Sequence, residues 1–242
     1  MLRGADIYDS SCSDAARVIF IDKDDGYYLK SAAAGTLKTE AEMTRFLHKK
    51  GLATEVLAYT SLDKDWLLTA RVRGEDCTFK EYLEKPEKLC VTLAELLKML
   101  HETDFTDCPV TDRMDGYTMT AERNYHRGLY DDSLFPDGSG FASAEEAWRI
   151  ADGSRHLLRS DTLLHGDYGL PTVMLSDWKF SSFIDLGNGG VGDRHVDLFW
   201  GAWSLAYNLK TDKYTDRFFD AYGRGSFEPG VLRVIAAFET FG

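Results

Sequence analysis

The stretch LLHGDYGLPTVMLSDWKFSSFIDLGNGGVGDRHVD runs from Leu163 to Asp197. It places two aspartates, Asp167 and Asp185, each after an apolar run and each close to a glycine. Leu163-Leu164 and Ser182-Phe183-Ile184 read as short buried strands, with SDWKF (176–180) as a turn between them. A hairpin of this kind would bring both carboxylates to one cavity. Two carboxylates there have two natural tasks. One accepts a proton from, or orients, a hydroxyl nucleophile, and the other holds Mg²⁺, a hard cation that sits against substrate phosphates. That is the division of labour in phosphoryl transfer. A lone His-Gly-Asp is equally a turn. The full pattern HGDxxLPxxML followed by IDxGxxGxxDRxxD imposes far more constraints than a turn requires.

Upstream, Val18–Ile21 and Tyr27–Lys30 flank Asp24-Asp25-Gly26, and an Asp-Gly step between two apolar runs signals a hairpin. TLKTEAEMTRFLHKKG (36–51) spaces Leu37, Met43, Phe46 and Leu47 for a helix that stops at Gly51. Two more strands flank Asp63–Asp65. Beyond residue 70 the pattern turns helical. Leu89, Leu93, Leu96, Leu97 and Leu100 lie at helical spacing, and residues 197–209, 214–223 and 228–242 read as further helices. Residues 131–143 read as a polar loop containing Gly and Pro. The expected fold class is α+β, with a small antiparallel strand-rich lobe over 1–70 and a mainly helical lobe over 71–242.

The 242 residues, 44% of them apolar, can bury a substantial core. A net charge of −12 disfavours nucleic acid and anionic membrane as partners, so a phosphate-bearing co-substrate requires a local cation or a metal. No apolar run approaches the roughly 20 residues of a membrane span. MLRGADIYDSS lacks the apolar segment of a signal peptide, and the expected location is cytoplasmic. Cys12, Cys77, Cys90 and Cys108 show no metal or disulfide spacing.

With SCSDAARV (11–18), YYLK (27–30), LLKMLHETDFTDCP (96–109), RFFDAYG (217–223) and FETF (238–241), the chain resembles the aminoglycoside phosphotransferases. It is most similar to their 3′-phosphotransferase, or kanamycin kinase, branch. The resemblance implies a two-lobed protein-kinase-like fold that uses ATP or GTP with Mg²⁺. Lys30 would contact the α- and β-phosphates, and Glu40, in preference to Glu42, would hold Lys30. No GxGxxG precedes Lys30; Ser13 and neighbouring backbone N–H groups would approach the phosphates instead. The hinge TARV (69–72) would offer backbone groups of Ala70 and Val72 to adenine. Asp167 would be the catalytic aspartate, Asp185 the principal Mg²⁺ ligand and Thr172 a second metal position. His165, Asp193 and Asp197 would be supporting residues.

The implied activity is phosphorylation of a hydroxyl on a kanamycin- or neomycin-type drug, conferring resistance, by a monomer or homodimer. Asp131, Asp132, Asp137 and Glu239 are the acids available to a cationic acceptor. There are departures from the family. Thr172 stands where the family has asparagine, and Asn188 where it often has arginine. The helix after the second motif carries Trp200, Trp203, Ser204 and Tyr207 with no acid among them. Its aromatic residues share one helix face, which suits either core packing or a stacking surface. Two other readings stay open. One is a kinase for another small alcohol, such as a macrolide, a sugar or a choline-like compound. The other is a weakly active or inactive kinase-like nucleotide-binding protein.

Overall fold

The computed structural model describes residues 4–11, 16–131 and 140–242. Strands β1 (Asp6–Asp9), β2 (Arg17–Asp22), β3 (Tyr27–Ala33), β4 (Val56–Ser61) and β5 (Lys64–Ala70) form an antiparallel sheet in the order β1-β2-β3-β5-β4. The β2–β3 hairpin turns through Asp24 and Gly26, both at positive φ (54° and 87°), as the Asp-Gly step predicts. Helix α1 (Lys38–Lys49) follows β3 and has two apolar sides. Leu37 and Ala41 pack on Leu67 of β5, whereas Met43, Phe46 and Leu47 join a core that also holds Phe183 and Leu186. This double packing fixes the helix between the sheet and the rest of the chain. Asp65, expected in a turn, is instead a fully buried residue of β5. Its carboxylate accepts the N–H groups of Gly35 and Leu37 at 2.9 and 2.8 Å, which closes the entry into α1.

Beyond β5 come β6 (Glu75–Asp76), α2 (Lys80–Leu83) and α3 (Pro86–His101), whose Leu89, Leu93, Leu97 and Leu100 are completely buried. Two helices that periodicity did not predict come next, α4 (Arg113–Arg127) and α5 (Ala144–Ser154). Then follow β7 (Thr162–Leu164), β8 (Val173–Ser176), β9 (Lys179–Phe183), β10 (Gly190–Gly192), α6 (His195–Leu209), α7 (Thr215–Tyr222) and α8 (Pro229–Glu239). The strand-rich first lobe and helix-rich second lobe are those expected. No helix among the described residues is long and apolar enough to cross a membrane.

The hairpin reading needs one correction. Asp177 and Trp178 both have positive φ (52° and 64°), as in a two-residue type I′ turn, so the turn joins the strands directly beside it, β8 and β9. The Leu163-Leu164 strand is not part of that hairpin. As β7 it pairs with β10, Leu164 opposite Gly190 and Thr162 opposite Gly192. Asp167 and Asp185 still converge, because one lies on the loop between β7 and β8 and the other lies just past β9.

Candidate active site

Lys30 points from the middle of β3 toward α1. Its ammonium lies 3.0 and 2.8 Å from the two carboxylate oxygens of Glu40 and 2.9 Å from Asp185 Oδ1. Glu40, nearly buried, is the glutamate beside Lys30, while Glu42 pairs at the surface with Lys38. Burial disfavours the Lys30 ammonium, but the Asp185 and Glu40 charges outweigh it and hold its pKa above the ordinary lysine value. Asp185 is in the left-handed region (φ 57°), which aspartate tolerates better than most residues, and its carboxylate is about half exposed to the cleft (52%).

The loop from His165 to Thr172 is held from below. Buried Asp197 accepts the backbone N–H groups of His165 and Gly166, both at 2.8 Å. A third contact at 3.2 Å comes from His101, whose other ring nitrogen meets the Tyr222 hydroxyl at 2.8 Å. Gly166 has φ 83°, and a Cβ there would lie 1.8 Å from the Asn188 carbonyl oxygen, so only glycine fits. His165 Nδ1 accepts the Asp167 N–H at 3.3 Å, which leaves the proton on Nε2. Burial lowers the His165 pKa and keeps the ring neutral. It is a support for the loop, whereas Asp193 accepts the Arg159 and His195 N–H groups at 2.7 and 2.9 Å and ties the approach to β7 to the start of α6.

Asp167 extends from this scaffold into the cleft. Enclosure by protein, followed by the negative charges of Asp185 and Asp197, raises its pKa above the ordinary carboxylate value. The Thr172 hydroxyl lies among loop backbone groups, 2.9 Å from the Asp167 carbonyl oxygen and 3.2 Å from the Gly169 N–H. Thr172→Val keeps the shape and removes these bonds. The expected result is a loss of about 1–3 kcal/mol in unfolding free energy. An unchanged denaturation midpoint would show that the hydroxyl does not brace the loop.

Near Asp167 stands a group of residues that sequence reasoning mostly missed. Glu239, at the end of α8, accepts the Tyr117 hydroxyl at 2.9 Å, and the Trp200 indole lies near enough to favour its carboxylate. Burial raises its pKa, and it lies within electrostatic reach of both Arg113 and Asp167. Arg113 also donates to Asn188 Oδ1 at 3.1 Å. Arg113 and Tyr117 stand one helical turn apart on α4, an i, i+4 pair that would have been the signal had the helix been predicted.

At the hinge, Ala70 donates its N–H to Glu55 and its carbonyl accepts the Thr54 hydroxyl, at 3.0 and 2.8 Å, so its backbone is partly committed. Val72 follows in the connection to β6. Asp131 is exposed at the end of the described segment after α4. Ser13, Asp132 and Asp137 lie outside the described residues. Among the described residues no three His, Cys, Asp or Glu side chains form a metal cage. The donors on offer are one exposed carboxylate, Asp185, with Asp167 across the cleft. This set suits Mg²⁺, which is commonly bound through one or two carboxylates together with phosphate oxygens.

The model of the phosphotransferase enzyme family matches residues 11–235. A probable aminoglycoside 3′-phosphotransferase of Lactococcus lactis subsp. lactis (strain IL1403) is 48% identical over 243 residues, covering 100% of this chain and 92% of the relative. The crystal structure of an aminoglycoside 3′-phosphotransferase of type VIII shares the fold, with TM-score 0.82 at 23% identity over 99% of this chain and 94% of that one. An aminoglycoside phosphotransferase of Streptomyces rimosus, solved with ADP and streptomycin, superposes with TM-score 0.75 at 18% identity over 95% of this chain and 94% of that one. With the lysine–glutamate pair, the two cleft aspartates and a match that spans nearly its whole length, this chain belongs to the phosphotransferase enzyme family.

Proposed function

We propose that the protein transfers the γ-phosphoryl group of ATP to a hydroxyl of an aminoglycoside antibiotic. The observation that carries this reading is the Lys30 ammonium held between Glu40 and Asp185, with Asp167 in the same cleft and Glu239 beyond it. The full-length likeness to a probable aminoglycoside 3′-phosphotransferase supports the choice of acceptor.

In this reading Lys30 binds the α- and β-phosphates, and adenine lies against the connection that holds Ala70 and Val72. Asp185 holds Mg²⁺, which when bound supplies positive charge to the phosphate oxygens. Thr172 braces the loop beside it. Asp167 orients the acceptor hydroxyl and takes its proton as the oxygen forms its bond to the γ-phosphorus. The bond from the γ-phosphorus to the bridging oxygen breaks, and ADP leaves with the electron pair. Glu239 faces the acceptor, and its carboxylate, with that of the exposed Asp131, complements a polycation. The product carries a phosphate where the drug had a hydrogen-bonding hydroxyl. It binds the drug's target less well, which is the basis of resistance.

An ADP-release assay against a panel of aminoglycosides, macrolides, simple sugars and choline tests this. Turnover is expected with kanamycin- or neomycin-type drugs. Release of ADP with only a macrolide or a small alcohol would refute the aminoglycoside reading. ATP hydrolysis with no acceptor phosphorylated would refute acceptor phosphorylation altogether.

A further inference from the structure

Helix α6 carries Trp200, Trp203 and Tyr207 along one stripe, and the stripe begins inside the acceptor side of the cleft. Trp200 is half-buried and lies close to Glu239, whose carboxylate it favours. The rings continue outward from it. Trp200 meets Trp203 nearly at right angles (5.5 Å, 78°), and Trp203 stacks on Tyr207 (4.9 Å, 9°). Core packing does not account for the outer two, because Trp203 is 49% and Tyr207 57% exposed. The same helix is fastened to the loop that bears Asp167, since Ser204 Oγ accepts the Leu170 N–H at 2.9 Å. The aromatic stripe therefore flanks the reacting hydroxyl's loop and leads away from it. At a rise of 1.5 Å per residue it extends about 10 Å from Trp200 to Tyr207.

Single exposed aromatic residues are ordinary on protein surfaces. A contiguous, pre-stacked row that starts at a cleft carboxylate is a shaped surface. We infer that Trp203 and Tyr207 form a stacking subsite for a saccharide ring of the acceptor, beyond the ring that receives the phosphate. The apolar C–H face of such a ring lies flat on aromatic surface, and the rigid rings give up little conformational freedom on binding. The far end of the row is closed to amines. Lys210 Nζ sits 4.1 Å over the Tyr207 ring, so an ammonium of the acceptor would meet a like charge there. The subsite thus selects a ring by its hydrocarbon face where the helix offers no carboxylate.

This inference rests on the acceptor being a multi-ring aminoglycoside. Steady-state kinetics of wild type, Trp203→Ala and Tyr207→Ala with a three-ring and a two-ring aminoglycoside test it. For the three-ring acceptor, Trp203→Ala should raise KM about tenfold with kcat within about twofold, and Tyr207→Ala should act in the same direction. The two-ring acceptor and KM for ATP should be unchanged. Trp203→Phe should restore most of the three-ring affinity, and acceptor titration should quench wild-type tryptophan fluorescence more than that of Trp203→Phe. Wild-type turnover with both drugs and an unchanged Trp203→Ala variant, or an equal loss with both drugs, overturns the stacking subsite alone. A wild type that phosphorylates neither overturns the aminoglycoside reading as well.

Discussion

Asp167→Asn should lower kcat by about 10²- to 10⁴-fold while nucleotide affinity stays within a few-fold of wild type. The substitution is nearly isosteric, and the loop does not depend on the group it removes. His165, Thr172 and Asp197 hold the backbone through its N–H and carbonyl groups, none of them through the Asp167 carboxylate. The pH profile offers a second check. The reactive form is the ionised carboxylate, and a raised pKa shifts its protonation to higher pH. The acid limb of kcat/KM should therefore lie above the ordinary carboxylate value of 3.8. Enclosure, Asp185 and Asp197 raise it, with neutral His165 and the Lys30 ammonium also facing the group. Near wild-type turnover in the asparagine variant would remove Asp167 from the mechanism.

Asp197→Ala should have an effect of a different kind. It deletes a fully buried carboxylate that accepts two loop N–H groups and contacts His101. Breaking a buried charged network from one side is worth about 3–5 kcal/mol, a large part of the roughly 5–15 kcal/mol that keeps a domain folded. For a chain of this size the melting temperature should fall by about 10 °C or more. Released from its anchor, the loop should also misplace Asp167, with a further loss of about 10²-fold in kcat in the folded fraction. Asp197→Asn retains the shape and one accepting oxygen, and should fall between. Thermal unfolding together with kcat at low temperature separates the two losses, and an alanine variant that melts with wild type would disprove the anchoring role.

Much of this architecture was legible in the sequence, and what was not has physical reasons. The Asp24–Gly26 hairpin and α3 were readable because turn chemistry and leucine spacing are local signals. The Lys30–Glu40 pair and the two cleft aspartates came from the resemblance and from the paired motifs. Helix α4 was hidden because, of its buried positions, only Met114 is large and apolar, while Thr118 and Ala121 are polar or small and give little periodic signal. With it went Arg113 and Tyr117, the neighbours of Glu239. Helix α5 left a cue that went unused. Ser143 caps the Glu146 N–H at 3.2 Å, and Glu146 answers by accepting the Ala142 N–H at 2.7 Å, a serine and glutamate three residues apart. The partner of β7 could not be read locally, because Gly190–Gly192 carries almost no strand propensity and is recruited by tertiary pairing. The placement of Thr172 among loop backbone groups is likewise a matter of three-dimensional reach.

Lys30 and Asp185 are 155 positions apart in sequence and serve as each other's counter-ions across the lobes. In the proposed reaction a polyphosphate and the cation that travels with it would address these same two groups, the anion seeking the ammonium and the cation the carboxylate. Each newcomer therefore weakens the bond that competes with the other. By linkage, the factor by which phosphate binding tightens the cation site must equal the factor by which the cation tightens the phosphate site. On that reading the cleft would favour the two arriving as a pair: a lone dication at Asp185 would have to displace the ammonium and leave it to Glu40 alone, and a lone polyphosphate would leave Asp185 facing like charge.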